Sequence, residues 1–191
     1  ELDKIYTADY YYVKFFDSDN GVIVCGYAKS NDTNESSRIY STSNGGESWD
    51  IVGSGPATNI IKGVVYVSSD VGFFCYDYVE GMDSNLYKTD DGGKTFAKVM
   101  LEEQELDSSA ANPQGQETET KTDSGKNGAD SSEQLRWGDV YKEALTPVVD
   151  STGIITIYLT QGKNAVYNDG KTAAKYQSSD KGSTWKYIGQ V

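Results

Sequence analysis

Apolar residues in this chain fall in short runs and nowhere hold a sustained 3.6-residue period. Tyr12 to Phe16, Val22 to Cys25, Ile60 to Val67 and Ile154 to Leu159 are apolar-rich stretches bounded by Asp, Asn, Ser and Gly. That pattern predicts short strands separated by tight turns, with few helices. Residue choice agrees: Tyr is used 15 times against two Met, and aromatic residues make up 12% of the chain. Such side chains suit half-buried pleated surfaces.

The pattern repeats. Three segments read Ser/Thr-x-Asp/Asn-x-Gly-x-Ser/Thr-aromatic: Thr42-Ser-Asn44-Gly-Gly46-Glu-Ser48-Trp49, Thr89-Asp-Asp91-Gly-Gly93-Lys-Thr95-Phe96, and Ser178-Ser-Asp180-Lys-Gly182-Ser-Thr184-Trp185. Each lies between two strand-like runs, so each is a hairpin turn. The residue types have a physical reading. An Asp or Asn accepts bonds from backbone N–H groups just ahead, Gly supplies a positive φ, and the hydroxyls bond nearby backbone. The closing aromatic starts the outgoing strand and packs inward. The motif is therefore expected to stabilise the fold, with no ligand of its own.

Upstream of each motif lies a second shared element: a strand, an acidic or Ser turn, a Gly and another strand. It runs from Val13 through Asp17 and Gly21, from Gly63 through Asp70 and Gly72, and from Pro147 through Asp150 and Gly153. Each unit then holds four antiparallel strands, A to D, with the motif in the C–D turn. Repeated four-stranded sheets are propeller blades. The expected fold is all-β, a partial β-propeller of three four-stranded antiparallel blades.

These motifs resemble the Asp-box, or BNR, repeats of the sialidase-like propeller superfamily. The stretch from Phe15 to Gly26 before the first box is also similar to repeats of photosystem II stability-factor-like propellers. The resemblance covers nearly all of the chain outside one insertion. It implies fold more than function, because hydrolases, receptors and assembly factors share this architecture.

Repeat spacing locates the insertion. Gly21 and Gly72 are 51 residues apart and Gly72 and Gly153 are 81, so about 30 residues are extra, too few for another blade. Residues 102 to 134 hold nine acidic residues against two Lys. Composition alone reads them as a mobile acidic loop. The expected organisation is two blades over 1–100, an acidic low-complexity insertion over 101–136, and a third blade over 137–191. In an antiparallel blade the A–B and C–D turns share one side, while B–C loops and blade-to-blade connections share the other. The second side receives the insertion and the longer loops, near Lys29 to Ser37, Glu80 to Asn85 and Gln161 to Thr172, and variable loops are where binding usually resides. Tyr78, Trp137 and Tyr167 are the aromatic ligand-contact candidates there.

Charge and composition remove several functions. With 17 basic residues against 29 acidic ones the net charge is −12, which opposes nucleic-acid binding through phosphates. No apolar run could insert into a membrane. The absence of His excludes Ser-His-Asp and Cys-His catalysis, and with only two Cys there is no ordinary zinc site. Sialidases grip a carboxylate with three arginines, but only Arg38 and Arg136 exist, and Tyr40 stands where Arg-Ile-Pro would need proline. Hydrolysis of neutral glycans needs just two carboxylates, though nothing singles out a pair. No cofactor is implied. The acidic loop could gather Ca²⁺ weakly, since that ion prefers oxygen ligands, while Asp17 to Gly21 lacks an EF-hand loop and reads as an A–B turn.

Further features are weaker. Gly170-Lys171-Thr172 and Gly93-Lys94-Thr95 are not phosphate loops, since Ala165 and Lys88 fill the earlier glycine position. Asn31 and Asn34 fit glycosylation sequons. Cys25 and Cys75 fall on B strands of successive blades, too far apart for a disulfide, and are expected as buried thiols. The first residue, Glu1, is compatible with removal of a preceding segment. The expected function is a non-catalytic binding or scaffolding module, extracellular or in the cell envelope, presenting long loops to a glycan or protein. The alternatives are a fragment of a glycoside hydrolase acting on neutral glycans and an assembly factor for a membrane complex. Three blades do not close a ring. Missing blades in a longer protein, a homodimer forming a six-bladed ring, or an open partial propeller would each answer that.

Overall fold

A computed structural model of the chain describes residues 8–27, 37–57, 59–106, 136–162 and 167–191. Both sequons, Ala165, nearly all of the first B–C loop, and positions 107–135 of the insertion lie outside them. Three antiparallel sheets form the fold. Blade 1 is β1 (Tyr10–Phe15), β2 (Gly21–Gly26), β3 (Ser37–Thr42) and β4 (Asp50–Ser54). Blade 2 is β5 (Ile61–Tyr66), β6 (Gly72–Tyr76), β7 (Leu86–Thr89) and β8 (Ala97–Lys98). Blade 3 adds a one-turn helix, α1 (Trp137–Val140), then β9 (Glu143–Ala144), β10 (Val148–Val149), β11 (Ile155–Thr160), β12 (Ala174–Ser178) and β13 (Lys186–Gln190). The chain is all-β, a partial propeller of three antiparallel blades.

Blade 3 departs from the expected outline in two places. Its first strand begins upstream of Pro147: β9 pairs with β11 at Ala144↔Leu159, and β10 pairs with it at Val148↔Thr156. Four residues advance on one strand against three on the other, so the strand bulges around Pro147, which has no N–H to give the ladder. The repeat register also shifts. Gly21 pairs with Thr42 and Gly72 with Thr89, but the residue facing Ser178 is Ile155. Gly153, aligned with those glycines by sequence, sits in the A–B turn at φ +86°.

Alternation along each strand turns one face to the preceding blade and the other to the next. Val22, Val24 and Ile39 of blade 1 meet Ile61, Val64, Tyr66, Phe74 and Tyr76 of blade 2 in one buried cluster. Phe73, Cys75 and Leu86 then meet Ala144, Ile155 and Ile157 of blade 3 in the next. A third cluster gathers Trp137, Val140, Tyr141, Tyr167 and Tyr176, with Leu101 and Leu106 packed on it. The described start of the insertion therefore rests on blade 3.

Polar contacts cross both junctions. Between blades 1 and 2, Val64 N–H donates to Tyr10 Oη and Tyr66 N–H to Tyr12 Oη, both at 3.1 Å. Lys14 Nζ donates to Tyr66 O at 2.6 Å. Between blades 2 and 3 the contacts converge on Asn85, which is 1% exposed. Its Nδ2 donates to Tyr76 O at 2.7 Å and Ala144 O at 2.9 Å, while its Oδ1 accepts Ala144 N–H at 2.8 Å. Cys75 Sγ also donates to Ala144 O, at 3.2 Å.

Candidate functional site

The repeated motifs occupy the β3–β4, β7–β8 and β12–β13 turns. In each, the leading hydroxyl bonds the Asx side chain and accepts the glycine N–H. Thr42 Oγ1 does this with Asn44 and Gly46, Thr89 with Asp91 and Gly93, and Ser178 with Asp180 and Gly182. Asp91 Oδ1 also accepts N–H bonds from Lys94 and Thr95, and Asp180 Oδ1 accepts them from Ser183 and Thr184. The Thr95 hydroxyl holds the Asp91 carboxyl far below the usual range, and Thr184 does the same to Asp180. The polar atoms of these turns are thus engaged in holding the turn.

The glycines also allow blade contact. Gly46, Gly93 and Gly182 have φ of +92°, +107° and +78°, which β-carbons resist. A Cβ on Gly93 would lie 3.0 Å from Ile39 of blade 1, and one on Gly182 only 2.5 Å from Phe73 of blade 2. Among the aromatic anchors only Trp185 does the same, packing edge-on against Phe73 of blade 2 at 6.0 Å. Phe96 packs edge-on against Phe74 at 4.9 Å and Trp49 against Phe15 at 5.9 Å, each within its own blade. The box turns and A–B turns share one side, tied by Gly45 N–H to Asp19 O and Gly92 N–H to Asp70 O, each 2.8 Å.

A groove of about 390 Å³ opens on the opposite, long-loop side, at the seam of blades 2 and 3. The β6–β7 loop supplies Tyr78 and Met82, the segment after β8 supplies Met100 and Leu101, and α1 supplies Trp137. Both methionines of the chain are here, and Met100 is 62% exposed. Charged side chains stand among these apolar ones, and two of them, Asp83 and Lys142, are ion-paired. Lys98 Nζ bonds Asp83 at 2.8 Å and Lys142 Nζ bonds Glu80 at 2.9 Å. The Asp83 carboxyl is lowered by its Lys98 partner, and the Lys142 ammonium is raised by Glu80.

The three aromatic candidates part company. Tyr78 and Trp137 both line the groove. Trp137, however, is mostly packed against Tyr141 and Tyr187, with 4% exposed. Tyr167 does not reach the groove: a 3-10 turn, Tyr167–Gly170, folds it inward until it is 1% exposed against Tyr141. Gln161 holds that turn through Tyr167 N–H and Tyr167 O. The sequence placed Tyr167 on a loop correctly but could not show that the loop tucks under itself. Met100 and Asn85 escaped notice because neither belongs to a motif.

Cys25 and Cys75 are buried free thiols; burial pushes both up to about 11. Among the described residues no cluster of three or more His, Cys, Asp or Glu could hold a metal ion. The Asp17 carboxylate instead accepts bonds from Asp19 N–H and Asn20 N–H. No helix among those residues is long and apolar enough to cross a membrane.

No family model matches the chain. No curated protein matches it either. Among solved structures, the chain is similar to the GH74 enzyme of Niastella koreensis, with 16% identity and a TM-score of 0.42. The match covers 87% of this chain and 19% of that one, so the chain spans about a fifth of the enzyme's length.

Proposed function

We propose that the protein is a non-catalytic binding or scaffolding module, exported to the cell envelope or beyond, that takes a glycan or protein ligand in the groove between blades 2 and 3. The observation that carries this reading is the groove's lining, in which half-buried Tyr78 and exposed Met100 stand among polar groups, with Asp83 and Lys142 ion-paired at its edge. Apolar contact area with a paired polar rim is the usual anatomy of a recognition surface. Among its acidic groups, Asp83 is held ionised by Lys98, whereas a glycosidase acid must keep its proton near neutrality.

A glycan array and a peptide display, each probed with the full chain, test this. Tyr78→Ala and Met100→Asp should each weaken capture at least about tenfold, with no turnover of chromogenic glycosides. Unchanged capture by both variants would discard the groove. The alternative, part of a hydrolase of neutral glycans, draws on Glu103 and Asp139, which also border the groove. Hydrolysis abolished by Glu103→Gln or Asp139→Asn would establish it.

A further inference from the structure

Two Cys and two Met give the chain four sulfur atoms, and the fold shelters three of them. Cys25 and Cys75 are 0% and 2% exposed. Burial raises both thiols to about 11, so almost no thiolate exists near neutrality to meet an oxidant. Met82 is half-buried, and its Sδ accepts hydrogen bonds from Asn59 Nδ2 at 3.3 Å and Val79 N–H at 3.4 Å. Those bonds occupy the lone pairs through which a thioether attacks.

Met100 has no such shelter. It follows β8 outside any strand or helix, and at 62% it is the most exposed of the large apolar side chains described. It also lines the groove between blades 2 and 3, beside Leu101 and across from Tyr78 and Met82 of the β6–β7 loop. Susceptibility of a thioether to oxidation follows its exposure. The chain's reactive sulfur therefore stands where a bound ligand would touch it.

The structure assigns Met100 as an oxidation site within the recognition groove, at which a peroxide converts the thioether to the sulfoxide and so weakens capture. This regulation rests on the groove's being the recognition surface. In the step, a lone pair of Met100 Sδ takes one oxygen of hydrogen peroxide, the O–O bond breaks as the S–O bond forms, and water leaves. Sulfur gives up two electrons and the peroxide accepts them. The product is a polar side chain with a strong acceptor oxygen at a place where an apolar, adaptable one met the ligand. Holding the ligand there then means burying that oxygen without a partner. Sulfoxide reductases reverse the change, returning thioether and water as two thiols become a disulfide, so the setting is reversible.

Peptide mapping by mass spectrometry of the full chain across a hydrogen peroxide series, paired with capture by the same immobilised glycans and peptides, tests it. The Met100 peptide should gain one oxygen before the Met82 peptide or either Cys peptide does. Capture should fall about tenfold in step with that gain, and methionine sulfoxide reductases with dithiothreitol should restore it. Met82→Leu should lose capture under peroxide as the parent chain does. Met100→Leu should keep through the same series whatever capture it starts with. Oxygen arriving first at Met82 or at a Cys overturns the proposal. So does capture that ignores the Met100 sulfoxide, or that falls equally in Met100→Leu. An untreated chain that captures nothing discards the groove reading and the regulation with it, a failure that the peptide map tells apart from a loss of selectivity.

Discussion

The two junctions between blades meet the same demand by different means. At the first, three side chains of β1 reach separate backbone atoms of β5, and Ser37 of blade 1 bonds the Tyr76 hydroxyl of blade 2 at 2.9 Å, so that the polar contacts are shared among four side chains of blade 1. At the second, one buried amide satisfies Tyr76 and both backbone groups of Ala144. A spread of partly buried contacts tolerates the loss of any one. A single buried hub does not, because each group that it leaves behind has no water to replace it.

Asn85→Leu is the strongest way to expose that contrast. It strands two or three buried backbone groups and should cost about 4 kcal/mol in urea unfolding. Gly182→Ala comes next, at about 3 kcal/mol, since it adds a forced left-handed residue and a clash with Phe73. The same change at Gly46 has room for its methyl and should cost about 1 kcal/mol. At the first junction Tyr12→Phe removes one acceptor from Tyr66 N–H, for about 1 kcal/mol.

The smallest effect is one of pH. Asp91 and Asp180 are depressed below 3.8 in the folded chain, so their contribution is present above that value and fades as acid is added through the folded-state range. Asp91→Asn with Asp180→Asn should flatten the acid side of a melting-temperature profile. Asn44→Asp, which gives box 1 the residue of the other two, should steepen it.

Local chemistry was readable in the sequence and distant chemistry was not. The box hairpins could be placed because Thr89, Asp91, Gly93 and Thr95 satisfy one another within seven residues. Asn85 could not be singled out: its partner Ala144 lies 59 residues away and nothing near it marks the pairing. The same holds for the groove, since Tyr78 and Trp137 meet only once blades 2 and 3 are stacked. The upstream start of the third inner strand was hidden by Pro147, which looks like a strand's first residue and is in fact flanked by strand on both sides.

The hydroxyls of Tyr10 and Tyr12 and the ammonium of Lys14 have one more effect. The inner edge of β5 would otherwise offer a row of open backbone donors and acceptors, the template on which stray strands aggregate. Occupied by side chains too irregular to be copied, that edge recruits nothing. A protein this rich in tyrosine-bearing strands therefore carries its own insulation against fibril growth along the inner edge of β5.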